Sequence, residues 1–495
     1  MASDSSSYTR AYPCSPDMRS AQRLIDLGSC IDYLAANDML VRVATEVDPE
    51  YELAGLAKKF EGAECVLFEK VKGSPFPVCI GLLWNRSTMG RLFQTARENV
   101  PFLIAQAIGS WRENKGAFPV LIQEQGPANE VIEPEVDLGT LPVPVHALAD
   151  GGRYFDSSVV VVRNPSSGGL NSSVHRLMIT QKDRLTFLID PGRHLGEYVE
   201  MAEAAGKPLP VTINNGVGLA PWLASIIPQQ GDGKLGIADH LVGQSIPLVK
   251  AQTVDVPAYA HAQVVLEAEI IPRVREREGP FAEVTGYYAT ADDRFVMRVK
   301  AITRRKHPVF QSILSGQEVW NAVGLTAEAK IFFTVRQQVP QLRAVYLSPG
   351  GCGFYGAVVQ VDADRPGVGR AAIEETFKAF GPLQWVIAVD TDVNLYDPVE
   401  VDWAVTTRFS ADRDLIILPN QRGHILNPMV QVDEDGRGGT VTKMGLDATV
   451  PYPKSRRFER VRFLDVDISK YEIREEQKMP VKGSGRSDCS DEQVS

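Results

Sequence analysis

Short β-branched runs alternate with amphipathic stretches along this chain, and no segment repeats another. Runs at 66–70 and 77–83 read as strands and 88–106 as a helix, so 19–115 forms a first α/β unit. Pro134, Pro142 and Pro144 then fix φ and withhold donors, which predicts an extended connector. From about 156 to 310 strands dominate: 158–163, 170–180, 185–189, 210–214, 262–271 and 295–303. One helix interrupts them over 191–205, turning Leu195, Tyr198, Val199 and Ala202 inward and stopping at Gly206 and Pro208. Strands with so few helices imply a barrel-like middle domain. Alternation returns over 311–478, with strands at 344–347, 357–361, 385–389 and 415–417 around a helix at 370–380.

Residues 1–18 and 479–495 read as disordered ends. Between them lie three expected domains, 19–115, 116–310 and 311–478. The 495 residues admit two to four at about 150 per domain. A chain with 44% hydrophobic and 23% charged residues is an ordinary globular protein, not a coiled coil, collagen or disordered polymer. Its formal charge of -10 argues against nucleic acid and anionic lipid as general partners. No apolar run approaches the roughly 20 residues of a membrane span, and the Ser-rich start lacks signal-peptide regions. A cytoplasmic protein is expected. Its six cysteines form no CxxC pair, so they read as free thiols in a reducing compartment. With only 7 histidines besides, little is left for metal or nucleophilic chemistry.

Three constellations stand out. Arg275-Glu276-Arg277-Glu278-Gly279-Pro280-Phe281-Ala282-Glu283 sets a Gly-Pro turn between two carboxylates. In a partly dry pocket the two would repel, raising one pKa as a general acid requires. A charged surface turn has the same spacing. Asn171-Ser172-Ser173-Val174-His175-Arg176 is an ordinary half-polar strand by alternation, which puts Asn171 and Arg176 on opposite faces. Asp190-Pro191-Gly192-Arg193-His194 opens a helix, where free N–H groups and Arg193 suit an anion as well as a solvated cap. Gly367-Val368-Gly369-Arg370 also follows a strand and opens a helix. It lacks the third glycine of a dinucleotide fingerprint and the Lys-Ser/Thr of a P-loop.

Taken in order and separation, these segments resemble the UbiD-type (de)carboxylases that use prenylated FMN. The resemblance covers roughly 19–470. It rests on Leu141-Pro142-Val143-Pro144, Asp150-Gly151-Gly152-Arg153-Tyr154, the Asn171 to Arg176 segment, Arg193-His194 and Glu278-Gly279-Pro280-Phe281-Ala282-Glu283-Val284-Thr285-Gly286-Tyr287. It implies an α/β (α+β) chain with a central split β-barrel flavin domain between N- and C-terminal α/β domains, assembled as a homodimer or larger oligomer. It also implies a Glu-Arg-Glu triad of Arg176, Glu278 and Glu283. In that triad Arg176 orients the substrate carboxylate, Glu278 holds Arg176, and Glu283 returns a proton after CO2 leaves. The prenylated FMN, supplied by a separate flavin prenyltransferase, would be lined by Asn171, Ser172, Ser173, Val174, His175 and Arg176 and by Arg193 and His194. A lysine at the phosphate is matched by Lys378.

Family members hold manganese, with potassium, on an Asn, a His and a Glu. Asn171 and His194 match the first two, but Lys234 stands at the third position, counted back from Lys250. An ammonium cannot ligate a metal and can neutralise a phosphate directly. Weakened or lost metal binding is therefore expected, unless Asp232 takes the position. Gln421-Arg422-Gly423-His424 resembles the pattern of members acting on hydroxylated aromatic acids, which makes His424 a substrate-pocket residue; a loop histidine capping a turn is the plainer alternative. The expected activity is decarboxylation of an aromatic or heteroaromatic acid, phenolic acids among them. The alternatives are an acrylic- or cinnamic-type acid decarboxylase of the same kind, or a flavin-binding or assembly protein without activity of its own.

Overall fold

A computed structural model of the chain describes residues 18–189, 193–227, 233–433, 438–467 and 470. Apart from Met18, the expected end segments lie outside these residues, as do Asp190, Pro191, Gly192 and Asp232. The chain divides into two compact units, with the boundary after Tyr452.

The first part opens with helices Met18–Ile25 and Leu27–Ala36, the second capped by Asp26, whose Oδ1 accepts from Gly28 N at 2.9 Å. Strands Leu40–Val43, Cys65–Phe68 and Val78–Ile80 follow, and the fourth strand of their sheet is Phe310–Gln311, which runs parallel to Val78–Ile80. The helix expected over 88–106 is two helices, Arg86–Leu92 and Val100–Glu113. The break falls where Gln94 takes a φ of +56°, and the second helix restarts with Pro101 in its first turn, the one place a helix tolerates it.

The central sheet has nine strands. In hydrogen-bonded order they are Tyr154–Phe155, Leu177–Gln181, Arg184–Phe187, Asp292–Arg304, Val264–Glu278, Leu209–Asn215, Val159–Arg163 and Leu170–Val174, with Val131–Ile132 paired onto Asp292–Arg304. Every pairing is antiparallel. Val159–Arg163 shows why its sequence is a continuous valine run: Val159 and Val161 enter one core, Val160 and Val162 another, so both faces are buried. The expected strand 170–180 is two strands, Leu170–Val174 and Leu177–Gln181, which lie toward opposite ends of the hydrogen-bonded order. In a flat sheet, six strand spacings would part them by roughly 28 Å. His175 and Arg176 span at most about 11 Å between the flanking residues. The sheet must therefore curl until its ends approach, the split barrel of the expectation, and Arg176 sits in the seam.

The helix Gln317–Val335 leads to a six-stranded sheet ordered Leu342–Leu347, Gly356–Val361, Trp385–Asp390, Gly439–Ala448 and Leu415–Arg422, with Gln431–Val432 paired onto Gly439–Ala448. Gly356–Val361 and Trp385–Asp390 are parallel, and the helix Val368–Ala379 makes the crossover. Gly369 serves packing there, because a Cβ would lie 2.1 Å from the Asp447 carboxylate. A carboxylate in that place is no phosphate loop. The part beyond Tyr452 shows one turn, Arg456–Phe458, and leaves Phe463 and Leu464 exposed. Among the described residues no helix is long and apolar enough to cross a membrane.

Gln317–Val335 also carries a buried ionic cross-link. Glu328, 1% exposed, accepts two 2.9 Å bonds from Arg86 and one of 2.8 Å from Leu347 N. Burial raises the Glu328 pKa, and the guanidinium opposes that. Arg86→Ala, which strands the carboxylate, is expected to cost about 3–5 kcal/mol in urea unfolding; a loss below about 1 kcal/mol would contradict this account.

Candidate active site

Arg176 is held from three sides. Its Nε and Nη2 donate to the two oxygens of Glu278, each at 3.0 Å, and Nη1 contacts Glu283 Oε1. The guanidinium lies 5.1 Å from the Phe281 ring centroid. Glu278 is fully buried, and the side chains of Arg176 and Glu283 are 9% and 13% exposed. Burial works against the charge on Arg176, but Glu283 and Glu278 outweigh it and raise its pKa. Tyr154 Oη donates to Glu278 Oε1 at 3.0 Å; burial first, then the Glu278 charge, pushes that phenol well above its usual range.

Local backbone explains why alternation along the strands misleads. Val264–Glu278 shifts register between Ile270 and Arg275, where Arg273 takes a φ of +60°. Beyond the shift the strand delivers Glu278 inward. The chain then reverses through Gly279 (φ +90°) and a cis Pro280 into the two-residue strand Phe281–Ala282, and Glu283 follows at once. The Asp150–Tyr154 segment moulds this turn. Gly151 N donates to Pro280 O at 2.7 Å, and Ala282 N donates to Asp150 Oδ1 at 2.8 Å. Asp150 Oδ2 accepts from Ala147 N at 2.9 Å. Tyr154, Asp150, Gly151 and Phe281 carry no role in the sequence reading. The one signal for them is their place in motifs that the resemblance rests on.

A second group gathers around Lys234, the first residue of helix Lys234–Val242. Its side chain is buried and Nζ donates to Ser225 O at 2.9 Å. Ser225 Oγ in turn donates to Ser172 Oγ at 2.9 Å, so Lys234 reaches the Leu170–Val174 strand through one serine. Burial, then the Arg193 charge, pushes the Lys234 ammonium down to about 7. A buried amine beside a guanidinium, with only a carbonyl for company, is a site that an anion would relieve. Arg193 is exposed where helix His194–Ala204 begins. Asn171 is buried, and its Oδ1 accepts from Ser172 N at 2.9 Å. Ser173 Oγ meets His175 Nε2 at 2.8 Å, and His175 Nδ1 meets Leu188 O at 3.3 Å, which pins that ring. Val174 ends its strand beside them.

Lys378 is not brought to this group. It sits in the last turn of Val368–Ala379, 69% exposed, and donates to Glu375 Oε1 at 2.7 Å. The residue that the resemblance matched lies there on the outer face of a helix packed on the C-terminal sheet. His424 lies in the loop after Leu415–Arg422, with its ring centroid 5.7 Å from that of Phe354 and 6.3 Å from that of Tyr355. Its Nδ1 accepts from Leu426 N at 3.4 Å, so it does cap a turn. His146 pairs with Asp156 at 2.7 Å and with Ser312 at 3.2 Å.

Three models of the 3-octaprenyl-4-hydroxybenzoate carboxy-lyases match the chain: the N-terminal domain over 31–108, the Rift-related domain over 120–318 and the C-terminal domain over 321–448. The chain is 32% identical over 422 residues to the anhydromevalonate phosphate decarboxylase of Methanothermobacter thermautotrophicus, covering 85% of this chain and 96% of that one. It is 31% identical over 467 residues to the gallate decarboxylase of Lactiplantibacillus plantarum, covering 86% and 94%. Among solved structures it resembles the UbiD-class enzyme HmfF from Pelotomaculum thermopropionicum in complex with FMN. There the TM-score is 0.85 and the identity 37%, over 90% of this chain and all of that one.

The moulded turn makes a sharp contrast between adjacent glycines. A Cβ on Gly151 would lie 2.2 Å from Gly279 O, whereas one on Gly152 meets nothing nearer than Met178 Cγ at 3.6 Å. Gly151→Ala is expected to cost about 1–3 kcal/mol in thermal or urea unfolding, and Gly152→Ala to stay within about 0.5 kcal/mol. Equal effects would refute the close approach.

Proposed function

Because the chain belongs to the UbiD family of carboxy-lyases, we propose that it reversibly decarboxylates an aromatic or heteroaromatic acid, using prenylated FMN. The observation that carries this is the asymmetric grip on Arg176: two of its nitrogens are committed to Glu278, and only Nη1 meets Glu283. A gallate decarboxylase and an FMN-bound UbiD-class enzyme among the similar proteins support the substrate class and the cofactor.

Glu278, itself held by Tyr154, holds the guanidinium in place through two charge-assisted hydrogen bonds. A substrate carboxylate takes the Nη1 arm and displaces Glu283. Without its cation, in a largely buried position, Glu283 takes up a proton. The charge of the pocket is then the same before and after the substrate enters. When bound, the prenylated flavin supplies the electron sink for the charge that CO2 leaves behind. Glu283 delivers its proton to that carbon, and in the carboxylating direction it removes one. Phe281 and Tyr154, packed at 4.4 Å between centroids, keep the back of the site dry.

The cationic group suits the flavin phosphate: Lys234 and Arg193 would hold it, and Asn171 to Arg176 and His194 would line the cofactor. A divalent metal does not fit the same residues. Lys234 brings a charge of the wrong sign and, while protonated, no lone pair. We assign the phosphate to Lys234 directly. His424 is assigned to the far wall of the substrate pocket, suited to a phenol or ring nitrogen. Assembly is proposed to be at least dimeric.

Two measurements test this. Glu283→Gln should keep the visible spectrum of the bound flavin and lose about a hundred-fold or more of the CO2 release. The rate is read on the acid turned over best in a panel of phenolic, heteroaromatic and cinnamic-type acids. Near-wild-type turnover would remove Glu283 from its role. Metal analysis of flavin-loaded protein should find far less than one manganese per chain, and Lys234→Met should weaken FMN binding in a fluorescence titration. One tightly held manganese per chain would overturn the assignment of Lys234.

A further inference from the structure

The turn that carries Glu283 has few bonds of its own. Glu283 N donates to Tyr287 O at 2.9 Å, Gly286 N donates to Glu283 O at 2.9 Å, and the strands Phe281–Ala282 and Tyr288–Ala289 pair over two residues each. Tethers from elsewhere therefore decide where the carboxylate points. One is Asp150, already described. Another comes from the far side: Trp320 Nε1 donates to Val284 O at 2.7 Å. Val284 is buried, so its carbonyl needs such a donor.

Trp320 belongs to Gln317–Val335, which also bonds to the segment after Val78–Ile80 and to the strand Leu342–Leu347. On the same helix Glu318 accepts from Gly81 N and Leu83 N, and Asn321 donates to Leu83 O and Trp84 O. Glu328 binds Leu347 N on the first strand of the C-terminal sheet. The loop before the second strand of that sheet rests on Trp320 itself. A Cβ on Gly353 would lie 2.3 Å from Trp320 O, a backbone contact that only glycine permits, and Gly353 has a φ of +61°. Phe354, next in the chain, packs against His424.

On the reading that Glu283 is the proton donor, we propose that Trp320 is its positioning residue. It fixes the Val284 carbonyl one residue from the acid, and so makes the aim of Glu283 depend on how the C-terminal sheet seats against the helix. The indole has no part in the chemistry. It acts by keeping the carboxyl within reach of the carbon that is protonated, where small displacements are costly in rate.

The test is Trp320→Phe, which removes the N–H and keeps an aromatic ring, in protein loaded with flavin. Hydrogen exchange followed by mass spectrometry should show the Glu283 and Gly286 amides exchanging about ten-fold faster, with the strands of the central sheet unchanged. On the acid chosen from the panel, kcat should fall about ten-fold, with KM and flavin affinity within two-fold. Unchanged exchange at 283–286, or a loss confined to KM or flavin affinity, would overturn the proposal. Gly353→Ala is the second variant: it pushes the loop off Trp320 from outside the site and should reproduce both effects. Wild-type exchange and kcat in that variant would break the link to the C-terminal sheet. The exchange readout does not depend on what Glu283 does, so it separates this inference from the reading it rests on. If Glu283→Gln proves fully active, the reading falls; if it is inactive while the turn in Trp320→Phe exchanges as in wild type, only the positioning role falls.

Discussion

A guanidinium enclosed by two carboxylates is the constraint that shapes the middle of this molecule. Arg176 and Glu278 are nearly or fully buried, and each alone would be intolerable there. Paired on two nitrogens and two oxygens, with Tyr154 donating to Glu278 Oε1 as well, they satisfy one another. The pairing needs the end of a fifteen-residue strand and the gap between two shorter ones to meet at one point. That meeting requires the central sheet to curl. The same pairing leaves one arm of Arg176 on Glu283.

Much of this was legible in the sequence, but by unequal routes. Valine runs, turn residues and the alternation of strands with helices placed the main elements, because burial and backbone preference act locally. The triad was legible only through resemblance. Alternation set Asn171 and Arg176 on opposite faces of one strand, and the strand in fact ends between them. Periodicity cannot see a seam. Nor can it see the register shift at Arg273 that governs how Glu278 enters the site. Nor does a match along the chain reveal that Lys378 lies on the exposed face of its helix. Tyr154 and Gly151 escaped notice because their partners lie more than a hundred residues away.

The acidic total of the chain hides a local reversal. At -10 overall, it still places Lys234 in the interior with Arg193 close enough to disfavour its charge. An interior that strains a cation is a standing preference for an anion. On the proposed reading the few histidines and cysteines are no deficiency, because two glutamates and an arginine act beside a flavin.

The N-terminal sheet draws its fourth strand, Phe310–Gln311, from the far end of the central domain. This has a consequence in time. As the chain is synthesised, the open edge at Val78–Ile80 waits for a partner that emerges more than two hundred residues later. At ordinary rates of translation the delay is on the order of tens of seconds. Throughout it, the nascent chain carries an apolar strand open along one side, the kind of edge that recruits other chains. The first domain in sequence is therefore among the last to be completed, and a chain cut before Phe310 would never close it.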